Sequence, residues 1–109
     1  NIQPEQVLSL AGQVTAQPGQ IVSRTLAQTP AVSLTLFAFA KGEEISTHES
    51  RGDALVQVLE GSGRFTVDGV DYMCRAGESL VMPAQKPHAV YGEEDFKMLL
   101  TVVFPPEEL

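Results

Sequence analysis

Apolar residues gather in short runs along this chain, and no segment longer than about ten residues shows a 3.6-residue apolar period. Eight short stretches rich in β-branched and apolar residues, QIVSRTLAQ (20–28), AVSLTLFAFA (31–40), DALVQVLE (53–60), GRFTVDG (63–69), VDYMC (70–74), ESLVMP (78–83), HAVYG (88–92) and FKMLLTVVF (96–104), punctuate it. They recur about every 8 to 12 residues with turn residues between them, a rhythm that predicts an all-β barrel or sandwich. The Asp68-Gly69 pair between RFTV and VDYM predicts a tight hairpin, because its turn needs a positive φ. Only PEQVLSLAG (4–12) has the form of a short helical turn, with Pro4 suited to a first helical position and Gly12 to a stop. The final PPEEL reads as a loose tail.

Within DALVQVLEG successive side chains point to opposite faces, so Ala54, Val56 and Val58 share one face and Leu55, Gln57 and Leu59 the other. Both faces carry apolar residues, yet a small barrel has one interior. The outer face therefore needs a cover, and the expectation is a second subunit, a homodimer. Phe37, Phe39, Tyr72, Met73, Met82 and Met98 are the candidates for the inner walls.

A length of 109 residues at 43% hydrophobic supports one core and one domain, residues 1–109. Seven basic residues against fourteen acidic ones give a net charge of −7 with no Lys/Arg cluster, which argues against nucleic acid and anionic membranes as partners. The apolar run from Leu34 to Ala40 is too short to span a bilayer, and NIQPEQVLSLAG lacks the basic start of a signal peptide, so a cytoplasmic location is expected. Cys74, the one cysteine, builds neither an internal disulfide nor a thiolate metal site. Neither a phosphate-cradling glycine loop nor a nucleophile elbow occurs, and no acid is spaced to orient a Ser/His pair from Ser46, Thr47 or Ser50 with His48.

The chain has two histidines, His48 in GEEISTHES and His88 in GESLVMPAQKPHAVYG. Gly42, five residues, His48, then DALVQVLEG resembles the first motif of the cupin family; Gly77, five residues, Pro83, then His88 resembles the second. The resemblance spans about residues 40–92, departs from the family at Gln85, where a glycine is usual, and at Gly92 in place of an asparagine, and is narrowest to small single-domain bacterial cupins, most without an assigned activity. It implies a cupin jelly-roll barrel (a double-stranded β-helix) of six to eight strands, flanking strands at about 20–40 and 95–104, and a site in the barrel mouth.

In metal-binding cupins the first motif supplies two histidines and a glutamate and the second a further histidine. Carried over, these positions are His48, Ser50, Ala54 and His88, so two of the four lack an imidazole or carboxylate donor. Alternation turns Glu49 and Asp53 away from His48 and Ala54, so neither repairs the set. Three functional classes follow. One is a barrel binding a small molecule, lined by His48, His88, Ser50, Tyr72 and Met82 and needing no cofactor. Another is a dioxygenase- or isomerase-like enzyme whose divalent metal (Zn, Fe, Mn or Ni) sits on His48 and His88. The third is a dimeric scaffold without chemistry.

Overall fold

A computed structural model describes residues 2–106. Nine strands follow in chain order: β1 (Ile21–Gln28), β2 (Val32–Phe39), β3 (Glu44–His48), β4 (Asp53–Glu60), β5 (Ser62–Val67), β6 (Val70–Arg75), β7 (Ser79–Met82), β8 (His88–Gly92) and β9 (Phe96–Val103). All ladders are antiparallel, in a five-stranded sheet of order β1-β2-β9-β4-β7 and a four-stranded sheet of order β3-β8-β5-β6. The strand count exceeds the expected six to eight. The extra strand is β3, whose sequence EISTH carries only Ile45 as an aliphatic signal and pairs on one side alone.

Between the sheets lies a core of Phe39, Val56, Val58, Phe65, Val90, Phe96 and Met98. Phe96 is its centre, stacked on Phe39 at 4.7 Å between centroids and meeting Phe65 edge-on at 6.1 Å. Gly63 makes room for that ring, since a Cβ there would lie 2.7 Å from Phe96 Cζ. The expected hairpin joins β5 to β6: Asp68 has φ +50° and Gly69 φ +81°, the pair of positive values a type I′ turn requires.

Alternation in β4 holds, with Ala54, Val56 and Val58 buried between the sheets. Part of its outer face, at Leu59, is covered from within the chain. The segment before β1 lies across the outside of the five-stranded sheet, where Ile2, Leu10, Val14 and Ala16 pack with Leu36, Ala38, Leu59 and Leu99. Lys97 Nζ donates to Ala11 O at 2.7 Å and Arg24 Nη1 to Gln13 Oε1 at 2.9 Å, which fastens the strap. Within it only Ala11–Gln13 is helical, a 3-10 turn at the end of the stretch 4–12 rather than along it, and Glu5, at φ +64°, lies outside the right-handed helical region. Beyond the strap, Leu55 pairs across to Val81, which is 55% exposed, and Val103 nearby is 58% exposed. Of the PPEEL tail, residues 107–109 lie outside the described residues. No helix is long and apolar enough to cross a membrane among the described residues.

Candidate functional site

His48 ends β3 and His88 opens β8, and the two residues are direct partners in that ladder. A register shift between Ile45 and His48 makes this possible. Ile45 pairs with Val90, two residues from His88, whereas His48 lies three residues from Ile45; the extra residue turns the imidazole to the same inner face as Ile45. The Nε2 atoms come to 3.0 Å from one another, and the rings meet edge to face at 71° with centroids 4.2 Å apart. His88 is buried, 3% exposed, while His48 sits at the exposed rim.

Each ring is oriented by backbone two residues before it. His48 Nδ1 lies 3.0 Å from Ser46 O and His88 Nδ1 3.2 Å from Lys86 O. A carbonyl oxygen only accepts, so each Nδ1 carries the ring hydrogen and donates it. Two neutral rings have then spent their hydrogens, and the Nε2–Nε2 contact requires a further hydrogen or another electron-poor centre. Burial and the neighbouring His48 push the His88 pKa below its ordinary 6.5, against the opposite pull of the Lys86 carbonyl and the Glu49 charge.

The loop after β7 carries Lys86 and is pinned from across the mouth. Gln85 N–H donates to Ser50 O at 2.8 Å, and Ala84 N–H donates to Asp53 Oδ1 at 2.8 Å. Gln85 takes φ +62°, which explains why a glycine is the easy residue at this position of the motif. Ser50 Oγ accepts from Gly52 N–H at 3.3 Å, a turn contact.

Behind the two rings opens a cavity of about 250 Å³. Its polar lining is His48, Glu49, Ser50 and His88; its walls are apolar, chiefly Phe37, Met82, Met98, Leu100 and Val102, with Ala54 at the position of the expected glutamate. The structure thus brings His48, His88, Ser50 and Met82 together. It does not bring Tyr72, which is 44% exposed on β6, an edge strand, and lines a separate hollow with Val70, Leu80 and Val81. Phe39 belongs to the packed core, and Met73 is exposed and pairs with Arg64 rather than with an inner residue. Glu49, expected to face away, lines the cavity because β3 ends at His48 and strand alternation ends with it. Leu100 and Val102 follow Met98 at every second residue of β9, a signal that period-two reading from Met98 supplies.

These residues do not fit a resident metal ion. Two imidazoles fall short of the three protein ligands such a centre ordinarily needs, Ala54 has no donor, and Ser50 offers a neutral hydroxyl. Among the described residues no third His, Cys, Asp or Glu completes the set, and no buried side-chain nitrogen or oxygen lacks a partner.

Comparison with known proteins places this geometry. Residues 35–104 match the family model Cupin_2, described as a cupin domain. A conserved protein of unknown function from Streptococcus pyogenes is similar at 43% identity and TM-score 0.94, covering 98% of this chain and 94% of its own. A cupin superfamily protein from Desulfitobacterium hafniense follows at 36% identity and TM-score 0.91, covering 96% of each chain. A cupin 2 conserved barrel domain protein from Leptotrichia buccalis reaches 46% identity and TM-score 0.87 over 88% of this chain, which spans 47% of that protein. No curated protein matches. With two motif histidines facing one another in the barrel mouth and the family pattern matched over residues 35–104, the chain belongs to the cupin family.

Proposed function

We propose that this cupin binds a small organic molecule inside its barrel, with the His48–His88 pair as the polar anchor. The observation that carries this reading is the 3.0 Å Nε2–Nε2 contact at the mouth of an otherwise apolar cavity of about 250 Å³. A concave apolar volume with a few convergent polar groups is the general form of a ligand site. Benzene occupies an engineered cavity of about 150 Å³, so the volume here suits a ligand of roughly ten non-hydrogen atoms. A divalent ion such as Zn, Fe, Mn or Ni would find the same two imidazoles with no third protein ligand, which favours ligand binding over metal-dependent oxygenase or isomerase chemistry.

The test is a thermal-shift screen of chelator-treated protein against organic compounds of that size. Compounds that stabilise the wild-type protein lose their effect in His48→Gln and in His88→Gln; stabilisation that survives both substitutions contradicts the reading. We also propose that the protein pairs with itself through the open apolar row of Leu55, Val81 and Val103.

A further inference from the structure

The orientation of the two imidazoles restricts what they can hold. With each Nδ1 donating to a backbone carbonyl, Ser46 O for His48 and Lys86 O for His88, both Nε2 atoms present lone pairs, and these converge at 3.0 Å. Converging lone pairs call for a hydrogen-bond donor or a cation, and repel a second acceptor.

The charges around the pair have the same bias. Glu49 is the only fully charged side chain lining the cavity among the described residues. The nearest cationic residues in sequence are engaged elsewhere: Lys86 Nζ lies 3.5 Å from Asp68 Oδ2, and the Arg51 guanidinium sits over the Phe104 ring at 5.0 Å. The carboxylate of Asp53, next to the floor residue Ala54, is held on Ala84 N–H. A net charge of −7 adds a long-range field of the same sign. A carboxylate or phosphate ligand would enter this site with no guanidinium or ammonium to meet it, against one carboxylate and two lone pairs.

Resting on the small-molecule reading above, we propose that the ligand is an organic amine bound as its ammonium ion. The ammonium has three N–H donors, and the mouth offers acceptors at the two Nε2 atoms, with the Glu49 carboxylate on the same cavity lining adding negative charge. Its apolar body, about the size of a substituted ring, lies against Phe37, Met98, Leu100 and Val102.

Calorimetric titration of the chelator-treated full chain with benzylamine, benzyl alcohol and benzoate compares a cation, a neutral group and an anion on one ring. At about pH 8 an ordinary imidazole is neutral and an alkyl ammonium remains charged. The expected result is benzylamine binding about tenfold or more tighter than either other probe, the scale of one charge-assisted hydrogen bond. Glu49→Gln, a change at an exposed side chain, is expected to weaken benzylamine by about fivefold and benzyl alcohol by less. Benzoate or benzyl alcohol binding as tightly as benzylamine, or an amine affinity indifferent to Glu49→Gln, overturns the amine assignment while leaving a small-molecule pocket standing. Binding by none of the three defeats both.

Discussion

At the residue scale, His88 links the stability of the fold to pH. Burial and His48 lower its pKa in the folded state below the ordinary 6.5, so the unfolded chain takes up that proton first. The His88 contribution to stability is therefore present above 6.5 and is lost as pH falls through 6.5 toward the lower folded value. Urea midpoints measured between about pH 7.5 and 5 are expected to fall with acidification, and His88→Gln to flatten that slope; an unchanged slope in the variant contradicts the assignment. His48 and His88 were legible in the sequence because each stands on its own motif. Their neighbours were less so. Glu49 enters the cavity because β3 stops at His48 after a register shift, and Tyr72 leaves the site because it sits on an edge strand; neither a strand end nor an edge is written in local alternation.

Close packing around Phe96 governs the element scale. Gly63 on β5 passes under that ring, which is itself held by Phe39 and Phe65. Gly63→Ala places a methyl group into occupied space and is expected to cost about 1 to 3 kcal/mol, read as a lower urea midpoint with the slope unchanged. A stability equal to wild type would mean that the ring has room to move. The Asp68-Gly69 hairpin was readable because a tight turn demands two positive φ values, which few residue pairs supply. The strap of residues 2–16 was not. Its contacts with Leu36, Ala38 and Leu59 are long-range, and a segment with a single 3-10 turn leaves no periodic trace of the surface it covers.

At the scale of the whole molecule, the strap takes over part of the role that the apolar outer face of β4 suggested for a second subunit. What remains open is the row around Leu55, Val81 and Val103. Sedimentation at micromolar concentration is expected to give a dimer, and Val81→Lys to shift it toward monomer; a wild-type protein that sediments as a monomer removes the pairing proposal. The barrel itself, its two-sheet order and the meeting of His48 with His88 follow from motif spacing and strand pairing together. A ligand in the space behind those rings is detected most directly by amide and methyl chemical-shift mapping of the chelator-treated protein with a stabilising compound of roughly ten non-hydrogen atoms. Shifts are expected only in the cavity lining, at Phe37, Ile45, Ala54, Leu100 and Val102 and at the two histidines, and are expected to be lost in His88→Gln. Shifts centred on the hollow beside Val70 and Tyr72, or cavity shifts that persist without His88, would contradict it.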